Sequence, residues 1–183
     1  MNSKLQTSAA LLDRFAEATG RVIAWLTLFM VLITFSVVIL RYLFQTGSIA
    51  LQESVSYLHA GVFMLGAAYT LKHDGHVRVD ILYQRYSART RAWIDLLGTL
   101  LLLFPVCLFI LFSSLDYVTT SWSIQEGSRE AGGLDGVFLL KTTIPVMAVL
   151  LLLQGCSIIL HKVLLLRGDA PAADRDNHLD RKL

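Results

Sequence analysis

The sequence predicts an all-α integral membrane protein with four transmembrane helices and with both the N-terminus and the C-terminus in the cytoplasm. The chain of 183 residues is 55% hydrophobic and only 16% charged, whereas soluble domains carry about 25% charged residues. The charged residues also lie between four long apolar blocks rather than inside them. Four helices this apolar would leave a soluble protein of this length too little polar surface to cover them, so the blocks predict membrane spans.

Each apolar block is long enough to cross a bilayer as a helix. The blocks are residues 22–40, 54–71, 96–115 and 142–160. At a rise of about 1.5 Å per residue, each covers close to the roughly 30 Å of the hydrocarbon core. In lipid, a lone segment must satisfy its own backbone hydrogen bonds, which only a helix does. With their flanking residues we expect the spans at about 22–43, 54–71, 92–115 and 142–162, within a membrane domain of residues 22–166.

The segments outside this domain are predicted to be cytoplasmic. Residues 1–21 form a leader in which Leu11, Leu12 and Phe15 recur at helical spacing, and this pattern favours a short amphipathic helix on the inner membrane surface. Residues 167–183 are mostly polar, which predicts a disordered tail.

Three local signals refine the helices. Ser87 is placed to cap the third span at its N-terminus, and Asp80 is placed to cap a short surface helix before it. Pro105 lies inside the third span and predicts a kink, because proline removes one backbone hydrogen bond.

The basic residues predict the orientation, because loops rich in Lys and Arg stay cytoplasmic. Four spans place the leader, the loop between the second and third spans, and the tail on one side of the membrane. Thirteen of the sixteen basic residues fall in those three segments. The remaining three, on the periplasmic side, are Arg41, Arg129 and Lys141.

The sequence carries no motif typical of catalysis or of a cofactor site. It has no Gly-rich phosphate loop, no HExxH, no CxxC and no nucleophile elbow. His59 is the clear ionisable residue inside a span, and its place near the outer face is typical of an interfacial histidine. We therefore expect a protein that is not an enzyme, holds no cofactor or metal and binds no nucleic acid.

Two other functions stay open from the residues alone. A membrane anchor subunit of a redox complex would hold haem between two histidines at matched depth, yet His59 and His161 fall at opposite faces. His73 and His76 could approach His161 from the inner loop. An independent carrier would show internal repeats and a polar midplane site, and neither is evident in the sequence.

The stretch GAAYTLKHDGHVRVDILY, residues 66–83, closes the second span and enters the following loop. It resembles the same region of the small, DctQ-like permease subunit of tripartite ATP-independent periplasmic (TRAP) transporters. Other patterns of that subunit follow in the same order, over residues 22–166. They are Arg41-Tyr42, Glu53, Trp122 followed by Glu126, Ser128 and Glu130, Gly132-Gly133-Leu134, Lys141, Ile144-Pro145 and Leu153-Gln154-Gly155.

The resemblance implies a small scaffold subunit of a secondary, sodium-coupled transporter in the bacterial inner membrane. Such a transporter imports an organic acid or a similar small solute, which a periplasmic solute-binding protein captures and delivers. The resemblance also implies a large permease subunit that carries the substrate and sodium sites. The small subunit would anchor the stationary part of that permease in the lipid bilayer.

Seven residues are candidates for an interface or a structural role. They are Arg41, Glu53, His76, Arg78, Asp80, Glu126 and Lys141. Arg41 and Lys141 lie on the side that basic residues usually avoid, so we expect acidic partners for them. Those partners could be Glu53 or Glu126, or groups on another subunit, and snorkelling to lipid headgroups is the alternative.

The other three candidates, His76, Arg78 and Asp80, alternate with valines in the cytoplasmic loop. We expect Asp80 to cap the surface helix, or this turn to latch the small subunit to the large one. Either role is structural, because the loop lies away from the membrane midplane.

Overall fold

Five helices account for most of the chain in a computed structural model that describes residues 2–76, 83 and 85–168. They are α1 (Asn2–Tyr42), α2 (Ile49–Lys72), α3 (Ala88–Gly98), α4 (Phe104–Ser123) and α5 (Val137–Leu166). A single turn of π-helix, Thr99–Leu103, joins α3 to α4, so that the helix runs on from Ala88 to Ser123. No strand occurs in the described part of the chain, which confirms the all-α prediction.

Three of these helices are long and apolar enough to cross a membrane: residues 5–42 of α1, the continuous helix Ala88–Ser123, and α5. Each contains one of the apolar blocks and extends beyond it at both ends. The extensions carry polar residues, because each helix continues past the hydrocarbon core of the bilayer into polar surroundings. The helix α2 contains the remaining predicted span, residues 54–71.

The helices form an antiparallel bundle in which α5 is the central element. It packs against α1, α2, α3 and α4, and α1 packs in addition against α2. We call the end of the bundle where α1 begins the near end, and the end where α1 finishes the far end. The ends of α2 and α5 that lie at the near end are their C-terminal ends, since Lys72 and His161 both contact the first half of α1.

Small residues line the contacts between the helices. Ala9, Ala16 and Ile23 are buried at intervals of seven on α1, and Gly61 and Ala68 are buried on α2. In lipid, helices gain little from the hydrophobic effect between them, so close packing of small side chains holds them together. Gly61 and Ala68, seven residues apart, thus share a buried face of α2.

Gly20 marks the closest approach of α1 to α2. A Cβ atom at this position would lie 2.1 Å from Cδ2 and 2.4 Å from Cγ of the Tyr69 ring. Those atoms sit close to the backbone of α2 and have little freedom to move away. Any larger residue at position 20 would therefore separate the two helices.

The leader is part of α1 and not a separate surface helix. The helix runs without a break from Asn2 to Tyr42, about 60 Å at 1.5 Å per residue. Its buried alanines Ala9 and Ala16 and its contacts with α5 hold the first half of α1 against the bundle. The physical reason is that the polar residues of the leader find partners on the other helices, as described below.

The local signals have mixed outcomes. The cap at Ser87 is confirmed, because its hydroxyl accepts a hydrogen bond from the Thr90 amide at 3.2 Å. Before Pro105 the chain forms the π-turn, in which the Phe104 amide donates to the Thr99 carbonyl. A π-turn accommodates the lost hydrogen bond and the proline ring within a continuous helix. The predicted surface helix at Ile81 and Leu82, and the tail beyond Gly168, lie outside the described residues.

Candidate functional site

Two groups of polar side chains join the helices, one at each end of the bundle. The near-end pairs are built on Asp13, Glu17 and Asp95. The far-end cluster is built on Glu53 and Glu126. Between these two levels lie the four apolar blocks, which carry no Asp, Glu, Lys or Arg.

At the near end, Asp13 of α1 binds two residues of α5. Its Oδ1 accepts a hydrogen bond of 2.6 Å from the Ser157 hydroxyl, and its Oδ2 lies 2.9 Å from His161 Nε2. Ser157 is fully buried, so this carboxylate is the partner that lets a hydroxyl lie between two helices. The contact fixes the first half of α1 on the C-terminal half of α5.

Two further carboxylates at the near end join other pairs of helices. Glu17 of α1 lies 2.7 Å from Lys72 Nζ and 3.0 Å from His73 Nε2, at the end of α2. Asp95 of α3 lies 2.9 Å from Lys162 Nζ of α5, and its Oδ2 also accepts a hydrogen bond from the Tyr83 hydroxyl at 2.7 Å. Each of the three near-end carboxylates thus faces a basic side chain on a helix other than its own.

At the far end, Glu53 holds the loop that joins α4 to α5. One carboxylate oxygen accepts a short hydrogen bond from the Ser128 hydroxyl, and the other accepts the Leu134 amide at 2.7 Å. The bond from Ser128, and next that from Leu134, hold the pKa of the Glu53 carboxyl below its usual value. Glu53 therefore anchors the loop to the first turns of α2.

Glycines let the loop come this close to the carboxylate. A Cβ atom on Gly133 would lie 2.4 Å from Ser128 Oγ and 2.7 Å from Glu53 Oε2. The preceding Gly132 has a φ of 80°, in the left-handed region that favours glycine. The close contact between the Glu53 carboxylate and the loop thus requires the glycines of the Gly132-Gly133-Leu134 pattern.

Glu126 and Lys141 complete the far-end cluster. The Lys141 ammonium donates a short hydrogen bond to Glu126, which also accepts the Ser121 hydroxyl at 2.6 Å. The ammonium lies 3.9 Å from the centre of the Tyr117 ring, close enough for a cation–π contact. The bond from Lys141, with a smaller effect from Ser121, lowers the pKa of the Glu126 carboxyl.

The lowered pKa values of Glu53 and Glu126 set the pH range of the far-end cluster. A carboxyl whose pKa is lower in the folded state stabilises the fold at neutral pH. That contribution is lost only as the pH falls through the lowered value. Both carboxylates are therefore ionised and engaged under physiological conditions.

The remaining candidates are placed apart from these groups. Arg41 is exposed at the end of α1 and makes no hydrogen bond or ion pair with any residue that the structure describes. His76 is exposed just after α2, and Arg78 and Asp80 lie outside the described residues. The structure thus brings Glu126 and Lys141 together, places Glu53 nearby on the loop, and leaves Arg41 and His76 apart.

The near-end pairs are not predicted by the sequence patterns. In the amphipathic helix predicted for the leader, Asp13 and Glu17 belong to the polar face, and Asp95 is not among the seven candidate residues. One signal was available: Ser157 and His161 are four residues apart, as are Asp13 and Glu17, so each couple shares a helix face. The spacing of residues within one helix does not show that these faces of α1 and α5 meet.

The described residues hold no group of three or more His, Cys, Asp or Glu side chains that could bind a metal ion. His73 and His161 each contact a carboxylate, an arrangement that gives the redox-anchor alternative no support. The near-end pairs and the far-end cluster neutralise charges between helices and hold the helices together.

Comparison with known proteins agrees with this architecture. Residues 30–164 match the family model described as tripartite ATP-independent periplasmic transporters, DctQ component. A C4-dicarboxylate TRAP transporter small permease protein DctQ of Vibrio cholerae serotype O1 (strain ATCC 39315 / El Tor Inaba N16961) is 36% identical over 62 residues. That match covers 34% of this chain and 27% of the relative. No solved structure matches the chain.

The family match covers most of the chain and includes the central α5, α2 and the far-end cluster. It agrees with the resemblance drawn from residues 66–83 and from the outer-loop pattern, which is thereby confirmed. This is a family of transporter subunits and not of enzymes, and with three helices able to cross a membrane the protein is a multi-pass protein of the inner membrane. The chain belongs to the DctQ family, the small permease component of the TRAP transporters.

Proposed function

We propose that this chain is a fixed scaffold subunit of a sodium-coupled TRAP transporter that imports an organic acid or a similar small solute. A large permease subunit would carry the substrate and sodium sites, and a periplasmic binding protein would deliver the solute. The observation that carries the proposal is the placement of charge. Charged side chains of the described helices lie at the two ends of the bundle, where carboxylates are bound by groups from other helices or from the loop.

An apolar middle suits a scaffold and not a carrier. A carrier binds its solute and coupling ion near the bilayer midplane, with polar groups that face the site. Here the buried positions in the middle of the bundle are occupied mostly by small residues, such as Ala148 and Gly155. The near-end pairs and the far-end cluster would keep α1, α2, the continuous helix Ala88–Ser123 and α5 in one arrangement while the large subunit moves.

The proposal is tested by isolating the chain from the membrane. An affinity tag after Gly168 should recover a much larger permease in equal amount, because the exposed apolar sides of the bundle need a protein or lipid cover. Recovery of the tagged chain by itself, together with unchanged solute uptake in a separate strain that lacks the gene for this chain, would contradict the proposal.

We propose further that α2 is the fourth span and that the near end is cytoplasmic. The 24 residues of α2 cover about 36 Å, and they lead from the far end of α1 back to the level of Glu17. The excess of basic residues in the leader, the loop after α2 and the tail gives the direction. The membrane domain would be residues 22–166, between cytoplasmic segments 1–21 and 167–183.

Reporter fusions test this topology. Alkaline phosphatase should be active when fused at Gly47 or Gly133, and a cytoplasmic fluorescent reporter should be active at Gly75 or after Gly168. The expected pattern follows from the positive-inside rule applied to four spans. Alkaline phosphatase activity at Gly75 would show that α2 does not cross the membrane.

A further inference from the structure

Two basic side chains are exposed at and just before the beginning of α3, and no residue that the structure describes neutralises them. Arg85 and Arg89 are exposed and have no hydrogen bond or ion pair within the part of the chain that the structure describes. The acid nearest to them on α3 is Asp95, and its carboxylate is already bound by Lys162 and Tyr83. As far as the described residues go, the positive charge of this surface is therefore available to a group from outside the chain.

The position of these arginines in the helix adds to their need for an anion. Ser87 caps α3, so the free backbone amides of the first turn and the positive end of the helix dipole lie beside Arg89. The first turn contains no acidic residue, although acids are favoured there and basic residues are disfavoured. A bound anion would be attracted by both arginines and by the helix end.

Along the helix axis, the face that carries Arg89 is first basic, then aromatic and then aliphatic. A bilayer changes in the same order, from charged headgroups through the interface to the acyl chains. Arg89, Trp93 and Leu97 follow one another at intervals of four residues, each about 6 Å further along the axis. Trp93 and Leu97 are each 48% exposed, whereas Ala92 and Leu96, toward the adjacent side of the helix, are buried. Tryptophan is enriched at the level of the lipid headgroups, and leucine suits the acyl chains beyond it.

These observations fit one class of ligand. We propose that the face formed by Arg85, Tyr86, Arg89, Trp93 and Leu97, the α3 headgroup face, binds an anionic phospholipid. The two guanidinium groups would bind the phosphodiester, for which arginine has matching paired donors. Trp93 and the half-exposed Tyr86 would pack against the glycerol region, and Leu97 would pack against an acyl chain.

Arg91 does not belong to this face. Its guanidinium carbon lies 5.9 Å from the centre of the Tyr83 ring, and position 91 points to another side of the helix from Arg89. In the proposed orientation the lipid belongs to the cytoplasmic leaflet, but the binding face itself depends only on α3 and α4 crossing the membrane. The inference therefore stands apart from the proposed role in transport.

Fluorescence quenching by brominated lipid tests the proposal on the full chain in the complex that it forms. The protein is reconstituted in vesicles of equal parts phosphatidylglycerol and phosphatidylcholine, with bromine on the acyl chains of one lipid or the other. The contribution of Trp93 is the difference between the wild-type protein and the Trp93→Phe variant. The Trp25→Phe, Trp122→Phe variant, compared with the same variant that also carries Trp93→Phe, gives the same quantity independently.

We expect Trp93 to be quenched more by brominated phosphatidylglycerol than by brominated phosphatidylcholine. Each arginine should contribute a preference of about fivefold for the anionic lipid, and the variant Arg85→Gln, Arg89→Gln should lose that preference. The matched control is Arg14→Gln, Arg21→Gln, which removes two exposed basic residues of α1 and should keep it. Equal quenching by both lipids, no quenching by either, or loss of the preference in the control would each overturn the proposal.

Discussion

Reversing the charge of Lys141 is expected to remove most of the folded protein from the membrane. Lys141→Glu would place two carboxylates at hydrogen-bonding distance, because Glu126 is already held there by Ser121. The loop between α4 and α5 would lose one of its two anchors, and the ammonium would no longer lie over Tyr117. The measurement is the amount of folded complex recovered in mild detergent, with solute uptake normalised to that amount.

Two controls separate this pairing from general effects of charge. Arg41→Glu makes the same reversal at the same end of the bundle on an exposed side chain, and we expect a wild-type yield from it. The exchange variant Glu126→Lys, Lys141→Glu restores opposite charges and should recover part of the yield. A wild-type yield and uptake from Lys141→Glu alone would show that Lys141 only reaches for lipid headgroups.

The second large effect is expected at Asp13. Asp13→Ala leaves the fully buried hydroxyl of Ser157 with only the Ala9 carbonyl, 3.5 Å away, as an acceptor. A buried polar group that loses its hydrogen bond costs about 1–3 kcal/mol. His161 loses its contact with the Asp13 carboxylate in the same step. We expect a lower thermal unfolding midpoint and easier proteolysis of α1 near its beginning.

A double-mutant cycle assigns this effect to the contact between α1 and α5. Asp13→Ala combined with Ser157→Ala should be less destabilising than the sum of the two single changes, with a coupling energy of about 0.5–3 kcal/mol. Asp135→Ala, which removes an exposed acid at the far end, is the matched control and should leave the midpoint unchanged. Strict additivity of Asp13→Ala and Ser157→Ala would mean that the hydrogen bond does not hold the two helices together.

Much of the fold follows from the sequence, because the bilayer imposes a length and a composition on each span. The four apolar blocks lie inside α1, α2, the continuous helix Ala88–Ser123 and α5. The ends of the helices were harder to predict. Polar residues such as Ser48, which caps α2, are compatible with either a loop or a helix end, and only the packing of neighbours decides between them.

The site was less predictable, because its geometry depends on contacts between distant parts of the chain. Glu126 was one of several acids that could have paired with Lys141, and the spacing of 15 residues indicates nothing by itself. Glu53 binds a hydroxyl and a backbone amide, partners that exist only once the glycine-containing loop has folded. Asp13 looked like part of a solvated face, since the residue on α5 that it meets lies 144 positions later.

The central claim, that this chain supports transport without performing it, is tested most directly by uptake into proteoliposomes. Vesicles containing the chain alone, the large permease alone, or both are given a sodium gradient, the periplasmic binding protein and its labelled solute. The scaffold account predicts sodium-driven uptake only in vesicles that contain both subunits, and none with the chain alone. Sodium-driven accumulation of solute by the chain alone would contradict it.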